Sequence, residues 1–138
     1  MDQLPILAHT PYTLTRALPG VPFGEAVART RSALAGQGFG VLTEIDVKST
    51  MKAKLGKELR DYTILGACNP ALAFAALQAE PGVGLLLPCN IVVSADDNGG
   101  SVVGAVDPVA LFSVVQRPDV AGLAEEVRQR LAKVLDGI

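Results

Sequence analysis

Two Cys-Asn dipeptides, Cys68-Asn69 and Cys89-Asn90, flank an apolar segment and are the residues best suited to chemistry in this chain. Asn69-Pro70 reads as a preferred N-cap followed by the proline favoured at the first helical position. Cys68 therefore stands at a helix entrance, where unsatisfied N–H groups and the macrodipole favour a thiolate and hence a nucleophile. Cys89 follows Pro88, which cannot donate to a strand ladder, and disturbed strands often aim side chains at a site. The simpler reading of both is burial, because free cysteine is among the most buried residue types. Cys89 is in phase with Leu85, Leu87, Ile91 and Val93, an apolar face on which a thiol is inert. Asn69 is most simply a helix cap. Asn90 is less easily explained, since an amide within an apolar strand must find partners or face solvent or a ligand.

A second cluster is basic. Lys48, Lys52, Lys54, Lys57 and Arg60 lie close together, opposed locally by Glu58 and Asp61. They could present ammonium groups to a phosphate, a sulfonate or an acidic partner, although a solvated surface is the plainer account. No aromatic residues are interleaved with them, which argues against single-stranded nucleic acid. The net charge of -2 is spread along the chain and gives no field for nucleic acid or an anionic membrane. Two cysteines and one distant histidine, His9, are too few for an ordinary zinc site. The cysteines are not a CxxC pair, and no phosphate-binding glycine loop, nucleophile elbow or HExxH is present. No cofactor is expected.

The elements that must position these residues follow from periodicity. Tyr12 to Leu18 alternates as a half-buried strand. Phe23 to Leu34 has helical spacing and stops at Gly36 and Gly38, and Phe39 to Val47 alternates again. The lysine-rich stretch that follows reads as a loop or a short helix. Arg60 to Ala67 reads as a strand, and the helix entered at Asn69 is apolar on every side from Ala71 to Leu77, so it should be buried all round or clamped between the sheet and another layer. Leu85 to Ser94 reads as an almost wholly apolar strand, disturbed at Pro88. Asp97-Asn98-Gly99-Gly100 is a hairpin signal leading into a strand from Ser101 to Val106. Asp107-Pro108 starts a short helical turn through Phe112, and Val120, Leu123, Val127, Leu131, Val134 and Ile138 mark a long amphipathic helix. The order β-α-β-β-α-β-β-α assembles into one mixed sheet with helices packed on it.

At 138 residues, about half of them apolar, the chain suits one globular domain, residues 11–138, preceded by a short N-terminal extension, residues 1–10. Pro5, His9 and Pro11 interrupt any apolar run in the first twenty residues, so export is not expected. The apolar stretch from Ala71 to Leu77 is far short of the ~20 residues that span a bilayer. Reduced thiols and a cytoplasmic location are the corresponding expectation.

The phrase DYTILGACNPALAFAALQAEPGVGLLLPCNIVV, residues 61–93, resembles the signature of the domain of unknown function 302 family. The resemblance extends upstream through QGFGVLTEIDVKSTMKAKLG, residues 37–56, and downstream through Asp107-Pro108 and the closing helix. It implies an α+β fold with a single curved, mostly antiparallel sheet and helices on one side, related to the TATA-binding-protein-like architecture. It implies no activity. From the residues, the leading expectation is binding or sensing of a small molecule, anionic if the lysines take part. Its pocket would lie between the sheet and the helix after Cys68, near Cys68, Asn69, Cys89 and Asn90, with Lys52 and Lys54 at the mouth. One alternative is a thiol enzyme or sulfur carrier with Cys68 as nucleophile and Cys89 resolving or receiving. The other is a scaffold acting as a homodimer.

Overall fold

A computed structural model describes residues 4–138, so the first three residues of the predicted N-terminal extension lie outside the described part. In chain order it contains strand β1 (Thr13–Leu18), helix α1 (Phe23–Gly36), β2 (Gly40–Asp46), α2 (Val47–Leu55), β3 (Tyr62–Cys68) and α3 (Pro70–Ala79). A 3-10 segment (Pro81–Leu86) leads to β4 (Cys89–Ala95) and β5 (Ser101–Val106), then α4 (Pro108–Phe112), a 3-10 turn (Ser113–Val115) and α5 (Pro118–Asp136). The five strands form one sheet in the order β1-β5-β4-β3-β2, every neighbouring pair antiparallel. The predicted α+β fold, one sheet with helices packed on it, is the fold observed.

Two segments depart from the sequence reading, and a third, the lysine-rich stretch, takes the helical one of its two expected forms. The lysine-rich stretch is helical, because Asp46 caps it: its carboxylate accepts from the Ser49 backbone N–H at 2.9 Å and the Ser49 hydroxyl at 2.8 Å. Gly56 ends that helix in the left-handed region at φ 66°. The strand predicted from Leu85 begins only at Cys89. Its first residues are wound into the 3-10 segment, whose entrance the Glu80 carboxylate caps through the Gly82 N–H at 3.3 Å. Pro88 has no N–H to give, so the ladder with β3 opens one residue later, at Cys89 opposite Ala67. Finally, α3 is neither buried all round nor clamped between two layers. It packs on α5 and the 3-10 segment along one side only, which leaves Phe74 63% exposed on the other.

Pleating divides the sheet into two faces. On one, Leu65, Ile91, Val93 and Val103 meet Leu34 of α1 with Leu131 and Val134 of α5, all fully buried or nearly so, in the main core. A second apolar cluster lies beyond the sheet's end, where Ala76 of α3, Val83 and Phe112 of α4 close on Val120 and Ala124 of α5. Helix α5 thus belongs to both cores, one with each half. The other face of the sheet is crossed by the chain before β1. Leu7 lies over Gly104, where a β-carbon would come 2.9 Å from its Cδ2. Arg60, its side chain only 8% exposed, donates to the carbonyls of Leu4 at 2.8 Å and Ala95 at 3.0 Å.

Candidate functional site

The site is built at the seam between the two cores. β3 and β4 are antiparallel and joined through α3, so the C-terminal end of one and the N-terminal start of the other lie at the same end of the sheet. That puts Cys68 and Cys89 on adjacent strands, one residue out of register. Both are free thiols, Cys68 half-buried and Cys89 buried. Between them, α3 and α5 lies a cavity of about 40 Å³. Its wall draws on Phe39, Cys89 and Ala67 from the main core and on Ala76, Phe112 and Ala124 from the second. Apart from the two thiols, Asn69 is the one polar side chain on that wall. A cavity needs roughly 10–15 Å³ on this measure to admit one water, and apolar cavities stay dry. The space therefore suits a small apolar group.

Burial pushes the Cys89 thiol up to about 11, with the neighbouring charge on Cys68 a lesser contribution in the same direction. Cys89 is consequently protonated and unreactive at neutral pH. Asn69 caps α3 as its sequence foretold, its Oδ1 accepting from the Leu72 N–H at 3.2 Å. That contact orients the amide. Its Nδ2 points to the turn at Gly38, 3.2 Å from where a β-carbon on that glycine would stand, and Arg130 Nη1 is 3.7 Å from the same point. Gly38 has φ +81°, a conformation that side chains rarely adopt. Arg130 lies three residues beyond Val127, which lines the cavity, so the two are neighbours on the surface of α5.

Asn90 and the lysines are not part of this assembly. Asn90 projects from the opposite face of β4 to Cys89 and is exposed, beside Pro88, Val106 and Leu111. Lys52 is ion-paired with Glu58 at 2.9 Å on the surface, an interaction that holds the Glu58 carboxyl below its usual range through the hydrogen bond first and the charge second. Lys54 occupies the last turn of α2, where a cation complements the helix dipole. Helix α2 adjoins the Thr63 end of β3, and Cys68 is at the other end, roughly 16 Å away at ~3.3 Å per residue. Sequence reasoning passed over Arg130 and Gly38. Arg130 falls on the polar side of an amphipathic pattern, and Gly38 read only as a helix stop. Among the described residues, no group of three or more His, Cys, Asp or Glu could hold a metal ion. None of the described helices is long and apolar enough to cross a membrane.

Fold and site together define a small antiparallel α+β domain with an apolar pocket where its two cores meet. The chain belongs to the family described as Domain of unknown function DUF302, whose model matches residues 14–138. It is similar to the uncharacterized conserved protein DUF302 from Bacillus stearothermophilus, known from a crystal structure, with a TM-score of 0.84 and 29% sequence identity over 92% of this chain and 98% of that one. No curated protein matches the sequence.

Proposed function

We propose that the domain binds a small molecule by admitting an apolar group into the pocket between the β3–β4 end of the sheet, α3 and α5. The observation that carries this reading is the cavity itself, almost wholly apolar in its wall yet bordered by the Asn69 amide and the Cys68 thiol. Pockets of this composition bind through the apolar wall and orient through the few polar groups. The surface lysines Lys52 and Lys54 drop out of the reading by their distance. Two free thiols go with a reducing compartment such as the cytoplasm.

The thiol reading has Cys68 alone to rest on, because a Cys89 thiol held near about 11 is a poor resolving or receiving partner. A homodimer is the remaining alternative, and Leu85, 91% exposed, with Val114, 70% exposed, is the apolar surface it would draw on.

Titration with 1-butanol, followed through the methyl NMR signals of Ala73, Ala76, Leu123 and Ala124, tests the reading. Saturable shifts confined to these methyls, abolished in Ala73→Leu where the added side chain fills the space, are expected. Shifts that never saturate, or that persist in Ala73→Leu, would reject it.

A further inference from the structure

We infer that the molecule this pocket takes is a short-chain carboxylate, its alkyl end in the cavity and its carboxylate held at the mouth by Arg130 and the Asn69 side-chain amide. The inference rests on the proposed function and names its ligand class.

The donors at the mouth are underused. Arg130 Nη1 reaches the Gln37 carbonyl and Nη2 the Glu126 carboxylate, both at 3.5 Å, the outer limit of a hydrogen bond. The Glu126 contact is also exposed on both partners, which makes it readily replaced. Asn69 Oδ1 is committed to the helix cap, and its Nδ2 has no acceptor among the described residues. Since Nδ2 and Nη1 both lie within 3.7 Å of one point above Gly38, they are close enough to share one carboxylate. Gly38 has no side chain to occupy that point. A guanidinium matches a planar carboxylate better than an ammonium does, and the N-terminus of α3, ten residues long, adds partial positive charge on the same side.

The tail follows from the cavity. About 40 Å³ corresponds to roughly three water-sized positions, enough for a chain of about two to four carbons. An anion alone would leave the apolar wall empty, and a neutral alcohol would leave the donors unmet.

Methyl NMR titrations of the full chain with butyrate and with 1-butanol at low ionic strength test the inference. Butyrate is expected to bind about tenfold more tightly than 1-butanol, the usual gain from a hydrogen bond to a charged group, with the preference shrinking as salt is added. Arg130→Gln, on an exposed side chain and so of little consequence for folding, is expected to reduce butyrate to the level of the alcohol, and Arg130→Lys to restore part of the difference. Equal affinities in the wild type, or a preference that survives Arg130→Gln, would overturn the carboxylate while leaving the pocket standing. If neither compound moves the pocket methyls, the proposed function falls and the ligand class with it.

Discussion

The Asn69 amide and the Arg130 guanidinium converge on the space above Gly38, 3.2 and 3.7 Å from where its missing β-carbon would be. One belongs to the cap of α3, the other to the middle of α5, and the glycine to the turn between α1 and β2. Three segments distant in sequence thus meet beside Asn69, which also lines the cavity between the two cores. The capping role of Asn69 explains its orientation, and that orientation leaves its Nδ2 donor turned toward Gly38.

Separating the two roles of Asn69 is therefore feasible. Asn69→Asp keeps a good cap, since aspartate and asparagine rank together there, but it sets a carboxylate beside Arg130. Urea unfolding is expected to change by no more than about 0.5 kcal/mol, with butyrate binding weakened by about tenfold or more. Asn69→Ala removes the cap and is expected to cost about 1 kcal/mol. Equal effects of both variants on stability would contradict the assignment.

Gly38→Ala tests the turn. A left-handed conformation costs a side chain about 1–2 kcal/mol, and the new methyl would also press on Asn69 Nδ2. Loss of stability in that range by urea unfolding, together with loss of the butyrate preference, is the expected outcome.

Cys89 should govern part of the alkaline stability. Its thiol ionises near 9.0 when unfolded and near about 11 when folded, because burial disfavours the thiolate. Below 9.0 both states hold the proton and the full stability is present. Above it the unfolded chain loses its proton first, so stability falls as the pH rises from about 9 to 11. At ~1.36 kcal/mol per pH unit the loss is on the order of 2–3 kcal/mol. Unfolding measured across this range should show a shallower decline in Cys89→Ala than in the wild type. In the same protein, iodoacetamide at pH 8 should modify Cys68 well before Cys89, and comparable rates would contradict the burial argument.

Gly66 is packed from above. A β-carbon there would collide with Thr43 Oγ1 and come 2.7 Å from Pro88 Cγ. Gly66→Ala is expected to cost about 1–3 kcal/mol, and Thr43→Ala to recover part of that in the double variant. Additive single effects in denaturant unfolding would mean that the two positions do not touch.

Where local chemistry decides structure, the sequence was readable. Asn69-Pro70 and Asp107-Pro108 open helices with side-chain caps, at 3.2 Å to the Leu72 N–H and 2.9 Å to the Val109 N–H. The turn around Asn98 and Gly100, tied by the Asp96 carboxylate, joins β4 to β5. Apolar runs were less informative. Leu85 reads as strand from its neighbours, yet Pro81, Gly82 and Gly84 let the segment wind into a 3-10 helix. The all-apolar face of α3 predicted burial, but burial depends on what lies opposite, and little lies opposite Phe74. The site was half legible for the same reason. Cys68, Asn69 and Cys89 are placed by local elements at one end of the sheet, whereas Arg130 arrives from α5 by tertiary packing that no spacing reveals. The lysines fell out because α2 lies at the far end of β3.

The account turns on a dry apolar cavity between the β3–β4 end of the sheet, α3 and α5 that accepts a guest. Crystals pressurised with xenon measure this most directly, because xenon enters apolar cavities without help from hydrogen bonds. A xenon atom among Phe39, Ala73, Cys89, Phe112 and Ala124 is the predicted result. A cavity that takes up no xenon, or that holds ordered water instead, would contradict it.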